Sequence, residues 1–246
     1  MTAAPYALTG PIGARASLGL IVLQADEVLE QDFRRLFPDP DVAIYVSRIP
    51  SGADLTPETL RKMERALPRA AELLPPSVGF DVIAYACTSG ATVIGAERVE
   101  DMIFRSADAR SVTDPLTAAA EALHHLGARR IGLISPYIED VSAALRAALA
   151  QRGFAITRFA SFEEQAEARV ARIDPASIRD AAIEVGRNGD VDAVFLSCTN
   201  LRALGIIEEV EAAIGKPVIA SNTALAWHMG RLADAPPVGP GRLLRA

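Results

Sequence analysis

Several residue types that carry chemistry are scarce in this sequence. Its 246 residues include only two cysteines, three histidines and one tryptophan. No histidine stands at a metal-ligand spacing from a cysteine, so the sequence does not supply the three or four ligands of a metal site. It also has no Gly-x-Gly-x-x-Gly loop, no Walker A loop and no Gly-x-Ser-x-Gly elbow, which argues against a nucleotide cofactor and a serine hydrolase. We therefore expect neither a metal nor a cofactor.

Long apolar runs and blocks of like charge are missing as well. The net charge is −6, with acidic and basic residues interspersed, which predicts no basic surface for a nucleic acid. No apolar run approaches the roughly 20 residues that span a membrane, and residues 1–17 lack the pattern of a signal peptide. We expect residues 1–17 to be a disordered tail and the protein to be cytoplasmic. Thiols stay reduced in that compartment, so both cysteines are expected to be free.

The rest of the chain alternates apolar runs with amphipathic stretches. Half of the residues are hydrophobic, which is enough for a buried core. Helices are predicted between the apolar runs, including one that Thr56 caps, one from Cys87 to about Arg105, and a last one that Asn222 caps. This alternation indicates an α/β fold of two similar lobes, each a four-stranded parallel sheet flanked by helices. The predicted strands are 18–23, 42–49, 82–86, 131–135, 154–162, 193–197 and 217–221.

The two cysteines occupy equivalent positions in the two halves. Cys87 follows the strand 82–86 and begins a Cys-Thr-Ser triplet, whereas Cys198 follows the strand 193–197 and begins a Cys-Thr-Asn triplet. Because parallel α/β sheets bind ligands beyond the carboxyl ends of their strands, we expect both thiols to face one cleft as catalytic residues. The alternative is that each cysteine is a small buried apolar residue, which does not account for the matching positions.

Polar residues beside the cysteines indicate the substrate class. A helix start after each triplet is expected to lower the pKa of both thiols toward neutrality. The hydroxyls of Thr88, Ser89 and Thr199, with nearby backbone N–H groups, are predicted to bind a carboxylate. Asn200 completes the second triplet and belongs to the same predicted site. A small carboxylate is therefore the expected substrate.

Two further residues lie at the same predicted sheet edge. Asp26 follows the first strand, where it can contact the substrate or simply cap the helix that it begins. Tyr137 follows the strand 131–135, where its hydroxyl can donate to a carboxylate or its ring can serve packing alone. The sequence leaves both alternatives open for each residue.

These motifs resemble the aspartate/glutamate racemase superfamily, in the branch of maleate cis-trans isomerase and arylmalonate decarboxylase. Within that branch the chain is most similar to proteins encoded with ectoine-utilisation genes. The resemblance covers about residues 18–246. It rests on the two cysteine motifs, Ser135-Pro-Tyr137, Ser221-Asn-x-Ala-x-Ala-Trp-His228 and the closing Gly241-Arg-Leu-Leu.

The resemblance implies two lobes related by pseudo-twofold symmetry, with the C-terminal helix returning to the first lobe. The first lobe would then comprise 18–115 plus 222–246 and the second 116–221, with the active site in the cleft between them. It also implies chemistry without a cofactor or metal. Arylmalonate decarboxylase has glycine at the position of Cys87, so two cysteines indicate a racemase or isomerase. Maleate isomerase has a Pro-Ser-Ser-Asn run at Leu23-Gln-Ala-Asp26, a difference that argues against maleate as substrate.

Two mechanisms fit a pair of facing thiols. In a racemase, one thiolate removes a proton from carbon and the other thiol returns one to the opposite face. In a cis-trans isomerase, one thiolate adds to an alkene and is expelled after the bond rotates. The ectoine-related resemblance implies an amino-acid derivative and favours the racemase. A non-catalytic two-lobed carboxylate-binding protein is the alternative of another class, and the sequence allows a homo-oligomer without specifying one.

Overall fold

Two parallel β-sheets form the centre of the computed structural model, which describes residues 3–52 and 56–245. The first sheet has the strand order β2-β1-β3-β4, and the second has the order β6-β5-β7-β8. The two orders match when strands are counted within each half, so the predicted pair of four-stranded parallel sheets is confirmed. The strands are β1 (Ala16–Leu23), β2 (Val42–Ile49), β3 (Phe80–Ala86), β4 (Ala109–Thr113), β5 (Arg130–Tyr137), β6 (Ala155–Glu164), β7 (Ala193–Leu196) and β8 (Val218–Ala220).

Helices connect consecutive strands and flank the sheets. Several begin at a residue whose side chain accepts hydrogen bonds from free N–H groups of the first turn. Thr56 accepts a hydrogen bond from the Thr59 N–H as predicted, and Asp114 accepts two from the next helix in the same way. The helices are α1 (Leu29–Leu36), α2 (Pro57–Glu72), α3 (Thr88–Ile94), α4 (Ala96–Phe104), α5 (Pro115–His125), α6 (Glu139–Gln151), α7 (Glu167–Val170), α8 (Pro175–Gly186), α9 (Ile207–Ile214) and α10 (Ser221–Leu232).

The apolar runs of the sequence become the central strands. Every residue of β1 and of β7 is buried, because helices cover both faces of a parallel sheet. In each sheet the two central strands are neighbours: β1 pairs with β3, and β5 pairs with β7. Their carboxyl ends therefore bring the segments after β1, β3, β5 and β7 together. Within the described ranges, no helix has the length and apolarity needed to cross a membrane.

The first strand begins earlier than predicted. Ala16 and Ser17 pair with Val42 and Ala43 of β2 and are buried, so the predicted tail of residues 1–17 is wrong at its last two positions. Of the tail residues that the structure describes, 3–15 contain no helix or strand. Disorder of that segment stays a prediction.

Two predicted helices differ from the structure. The helix expected from Cys87 to Arg105 is two helices, because Gly95 between α3 and α4 has a φ of +92° that interrupts the helical backbone. Asn222 does not cap α10: the helix begins one residue earlier, and the Asn222 side chain donates to Asp32 Oδ2 at 2.8 Å and to the Thr199 carbonyl at 2.9 Å. Helix α10 packs against α1, α5, β3 and β4.

The division of the chain into two lobes at residues 115 and 221 stays a prediction.

Candidate active site

The two cysteines line one small cavity at the carboxyl ends of the central strands. Both thiols are free and buried. The cavity has a volume of only about 10 Å³, so its walls must move apart before a ligand larger than water can enter. The structure thus brings the two predicted catalytic residues together. The lining residues are Leu23, Cys87, Thr88, Ser89, Tyr137, Glu167, Cys198 and Thr199.

Cys87 lies at the start of helix α3, as predicted. Its backbone is extended, and its Sγ accepts a hydrogen bond of 3.2 Å from the Gly90 N–H. This contact satisfies one of the free donors of the first helical turn. The thiol is thereby held at the end of β3 and directed into the cavity.

Cys198 has a different local structure from Cys87, contrary to the prediction of a helix after each triplet. The next helical residue is Leu204, in a short 3₁₀ helix that precedes α9. The Cys198 backbone has a φ of +143°, a conformation that side chains disfavour. Two hydrogen bonds hold it there: the Cys198 N–H donates to Ser221 Oγ at 3.0 Å, and the Asn200 N–H donates to Cys198 Sγ at 3.3 Å. Strained backbone of this kind concentrates at functional sites.

Tyr137 connects the Cys198 thiol to a buried carboxyl group. Its hydroxyl lies 2.9 Å from Cys198 Sγ and donates to Glu167 Oε1 at 2.6 Å. The Tyr137 hydroxyl therefore has polar partners within the protein, and its donation to a substrate carboxylate stays a prediction. Glu167 begins the short helix α7 and is 1% exposed. The sequence does not single Glu167 out, because this residue lies in a polar stretch without strand or helix periodicity.

Asn200 holds three segments of the site together. Its Nδ2 donates to Glu167 Oε2 at 3.2 Å and to the Glu167 carbonyl at 3.2 Å. Its Oδ1 accepts from the Glu27 N–H at 2.9 Å, which ties the β1–α1 loop to the second half of the chain. Asn200 is therefore a structural link beside the cavity rather than part of its lining.

Asp26 caps a helix with one of its two buried carboxyl oxygens. Its Oδ1 accepts hydrogen bonds from the N–H groups of Val28 and Leu29 at 2.8 and 2.9 Å, as the capping alternative predicts. The carboxyl group is 3% exposed, and its Oδ2 has no hydrogen bond of normal geometry, although the Thr199 hydroxyl lies near. Capping thus uses only one of the two carboxyl oxygens.

The hydroxyl groups expected to bind a carboxylate lie at the cavity. Thr88 Oγ1 is 3.0 Å from Ser221 Oγ, and Thr199 Oγ1 donates weakly to the Ala86 carbonyl at 3.4 Å. Ser89 lines the same cavity. Ser221, which is not a predicted site residue, therefore joins the two cysteine motifs through Thr88 and the Cys198 N–H. Carboxylate binding by these hydroxyls stays a prediction.

Comparison with known proteins identifies the family. A family profile described as arylmalonate decarboxylase matches residues 18–244. The arylmalonate decarboxylase of Bordetella bronchiseptica is 32% identical over 222 residues, which cover 88% of this chain and 90% of that protein. The chain belongs to the arylmalonate decarboxylase family.

Maleate isomerases are relatives in the same family. The maleate isomerase of Nocardia farcinica is 28% identical over 245 residues, covering 93% of this chain and 95% of that protein. A solved structure is similar too, a cysteine-to-serine mutant of the maleate cis-trans isomerase of that organism with a covalently bound succinylcysteine intermediate. It has a TM-score of 0.83 at 26% identity, covering 94% of this chain and 98% of that chain. These relatives confirm the predicted superfamily branch and the prediction of an enzyme related to isomerases.

The pKa values of the two thiols differ from those expected from the sequence. Burial raises the pKa of the Cys87 thiol to about 12, and the charge of Glu167 adds to this effect, whereas the Gly90 N–H opposes it. Burial likewise raises the pKa of Cys198 well above its usual range, again with Glu167 adding to the increase. The predicted lowering of both pKa values is wrong, because loss of hydration outweighs the helix start and the hydrogen bonds.

The acidic groups at the site are also shifted. Burial raises the pKa of Glu167 and of Asp26, and hydrogen bonds from Tyr137 and from the Leu29 N–H oppose the increase. The charge of Asp26 further raises the pKa of Glu167. Two acids and two thiols thus share one poorly hydrated region, where each negative charge disfavours the next.

His228 does not reach the cavity. Its Nδ1 lies 2.8 Å from Thr113 Oγ1, and burial lowers the pKa of its ring.

Among residues 3–52 and 56–245, no group of three or more His, Cys, Asp or Glu side chains has an arrangement that could hold a metal ion. The cavity itself presents thiol, phenol, carboxyl and hydroxyl groups.

Proposed function

We propose that this chain is a two-cysteine racemase or epimerase that acts at the carbon next to a carboxylate in a small substrate. The observation that supports this most directly is that Cys87 and Cys198 enter one cavity from equivalent strand ends of two sheets. A carbon centre held between two such thiols has a proton donor or acceptor on each face. This is the arrangement that inversion by proton transfer requires.

In the proposed reaction, one thiolate removes the proton and the C–H electron pair moves into the adjacent carboxylate to form an enediolate. The opposite thiol then gives its proton to the other face of the carbon. One C–H bond breaks and one forms, and the thiol and thiolate exchange roles. No oxidant or reductant is consumed, so the chemistry is complete with two sulfur atoms.

The contact of Tyr137 with Cys198 and Glu167 offers a route for forming a thiolate despite the raised pKa. When the Cys198 proton moves to the Tyr137 oxygen, the Tyr137 proton can move to Glu167 over the 2.6 Å hydrogen bond. The negative charge then leaves Glu167 and appears on Cys198. Because the number of charges in the cavity is unchanged, the transfer avoids the desolvation penalty of creating a new buried charge.

We propose a small carboxylate as substrate, and more specifically an amino-acid derivative of ectoine breakdown. The carboxylate class is supported by the hydroxyls of Thr88, Ser89 and Thr199 at the cavity. The finer substrate is supported by the likeness of the cysteine and Ser221–His228 motifs to ectoine-utilisation proteins. Asp26, where maleate isomerase carries asparagine, argues against maleate itself.

A cis-trans isomerase is the second candidate function. It is favoured by the similar solved structure of a maleate cis-trans isomerase mutant, which contains a covalent succinylcysteine intermediate. In that mechanism one thiolate forms a C–S bond to an alkene carbon. The other alkene carbon receives the electron pair, the single bond rotates, and the C–S bond breaks again.

Turnover in D₂O separates the two candidates. Racemisation should place deuterium on the carbon next to the carboxylate, because each thiol exchanges its proton with solvent. Replacement of Cys87 or Cys198 by Ser should lower the rate by about 10²–10⁴-fold, whereas the neighbouring Ser197→Ala should leave it nearly unchanged. A covalent adduct on one cysteine, seen by mass spectrometry without deuterium in the product, would decide for the cis-trans isomerase. Normal turnover in both cysteine variants would contradict both mechanisms.

A further inference from the structure

Tyr85 lies two residues before Cys87 and is completely buried. The Cys87 N–H donates to the Tyr85 carbonyl at 3.0 Å, a tight turn at the end of β3 that keeps the two residues close. Gly90 contacts both side chains: its N–H donates to Cys87 Sγ at 3.2 Å, and a Cβ placed on it would lie 2.3 Å from the Tyr85 hydroxyl oxygen. The Tyr85 hydroxyl therefore lies beside the hydrogen bond that holds the Cys87 thiol.

The Tyr85 hydroxyl has only a weak partner among the residues that the structure describes. It donates to Met63 Sδ at 3.7 Å, and a thioether is a poor acceptor. A buried hydroxyl normally forms a full hydrogen bond, because its lost hydration is otherwise not replaced. The Cys87 sulfur becomes a much better acceptor than a thioether when it ionises. Burial raises the pKa of Cys87, and a hydrogen bond with Tyr85 is among the interactions that oppose this increase.

Each thiol of the site is thus associated with one buried tyrosine hydroxyl, but the groups behind the two tyrosines differ. Behind Tyr137 lies Glu167, a carboxyl group that can take up a proton. Behind Tyr85 lies the Met63 thioether, which does not take up a proton in water. Burial raises the pKa of Tyr85 well above its usual range, so its hydroxyl keeps its proton. Tyr85 can therefore donate a hydrogen bond to a thiolate but cannot pass a proton on.

On the basis of the proposed function, we propose that Tyr85 is a positioning residue for Cys87, and that its O–H turns from Met63 Sδ to Cys87 Sγ when this thiol loses its proton. Only the hydroxyl hydrogen has to move, so the buried ring stays in place. The thiolate then accepts one hydrogen bond from the Gly90 N–H and one from Tyr85. This second hydrogen bond strengthens as the sulfur becomes charged, and it therefore stabilises the form of Cys87 that removes a proton from the substrate.

Alkylation by iodoacetamide at a fixed pH measures the thiolate fraction of a cysteine, because the thiolate is the nucleophile. We compare variants in the Cys198→Ser background, where Cys87 is the one remaining thiol. Tyr85→Phe keeps the ring and should slow alkylation by about ten to a hundred times, the range that a hydrogen bond to a charged group is worth. Tyr45→Phe, which lies outside the cavity, should leave the rate unchanged. An unchanged rate in Tyr85→Phe would overturn the proposal.

Met63→Leu distinguishes stabilisation of the thiolate from a purely structural contact between α2 and β3. Tyr85→Phe and Met63→Leu both remove the hydrogen bond between the hydroxyl and the thioether, and leucine has nearly the volume of methionine. A purely structural contact predicts the same loss of Cys87 reactivity in both variants. We expect instead that Met63→Leu alkylates at or above the wild-type rate, because the hydroxyl is then free to donate to Cys87. An equal loss in both variants, with the fold verified by circular dichroism, would contradict the proposal.

Deuterium exchange of lactate, malate and alanine in D₂O keeps this proposal separate from the proposed function. In the Cys198→Ser background, where Cys87 is the remaining base, Tyr85→Phe should slow exchange by about ten to a hundred times. In the Cys87→Ser background it should leave exchange by Cys198 nearly unchanged. Slower alkylation of Cys87 without exchange of any of these carboxylates would support the role of Tyr85 and contradict the racemase. Exchange that Tyr85→Phe leaves unchanged in both backgrounds would support the racemase and refute the role of Tyr85.

Discussion

Cys198 adopts a backbone conformation that costs on the order of 1–3 kcal/mol for a residue with a side chain. Its φ of +143° is maintained by the Ser221 hydroxyl on one side and by the Asn200 N–H on the other. The conformation places Sγ within 2.9 Å of the Tyr137 hydroxyl. The strain is therefore associated with the contact on which the proton route depends.

Replacement of Tyr137 by Phe removes one oxygen atom and so tests the proton transfer from Cys198 through Tyr137 to Glu167. The variant loses the hydroxyl between Cys198 and Glu167, and the pKa of Glu167 should rise further because the Tyr137 hydrogen bond lowers it. We expect kcat to fall by about 10²-fold or more while KM changes little. Steady-state kinetics should show no such loss for Tyr45→Phe, a half-buried tyrosine that packs against Phe80 outside the cavity. Equal kinetics for both variants would contradict the route.

The residues of the site differ in how readily the sequence pattern predicts them. Both cysteines and Asp26 follow an apolar strand and Tyr137 ends one, so strand prediction alone places them at one edge. Glu167 and Ser221 are not recognisable in this way, because their importance arises from contacts with residues far away in sequence. The raised pKa of the thiols could not be predicted either, since burial depends on how the two halves pack.

At the level of secondary structure, the strands with continuous apolar sequence were predicted with nearly correct bounds. β4 was not, because Ala-Arg-Ser-Val-Thr mixes polar and apolar residues and forms an edge strand that is only partly buried. The break between α3 and α4 depends on the backbone of Gly95. Glycine also occurs inside continuous helices, so its place in the sequence alone does not predict a break. These misses reflect edge position and local dihedral angles rather than the hydrophobic pattern.

Helix α3 depends on a glycine at its first turn. A Cβ on Gly90 would lie 2.3 Å from the Tyr85 hydroxyl oxygen, and Tyr85 is fully buried and cannot move aside. We expect Gly90→Ala to destabilise the protein by about 1–3 kcal/mol and to lower activity, since the Gly90 N–H binds the Cys87 thiol. Chemical denaturation and kinetics measure the two effects. Gly189→Ala has open space around its Cβ and should change neither; equal behaviour of the two variants would contradict this account of α3.

The contact between α1 and α10 should make stability depend on pH. Burial raises the pKa of Asp32 to about 6, although a hydrogen bond from Asn222 opposes the increase. An acid whose pKa is higher in the folded state than its ordinary value of 3.8 stabilises the fold when protonated. This contribution to stability is fully present below pH 3.8 and is lost as the pH rises through about 6.

Asp32→Asn removes this titration and keeps a partner for Asn222. The free energy of unfolding of the variant relative to the wild type should therefore increase between pH 4 and pH 7, by about 3 kcal/mol at most, because each pKa unit corresponds to about 1.4 kcal/mol. Urea denaturation at several pH values measures the difference. A constant difference across this range would show that Asp32 titrates normally in the folded protein.

At the level of the whole molecule, the site exists only where the two halves meet. Asn200 binds the Glu27 N–H, Thr88 binds Ser221, and Asn222 binds Asp32, each across more than 100 residues of sequence. The repeated strand order could be predicted from the alternating pattern in each half. The closure of the cavity could not, because it is a property of the contacts between the halves.

The measurement that tests the paired thiols most directly is deuterium exchange of each enantiomer of a substrate, followed by NMR, in Cys87→Ser and in Cys198→Ser. If each thiol serves one face of the carbon, each variant should exchange the carbon proton of one enantiomer and fail to invert it. The two variants should select opposite enantiomers. Exchange of the same enantiomer by both variants, or inversion at the wild-type rate by either, would contradict the account of two thiols on opposite faces.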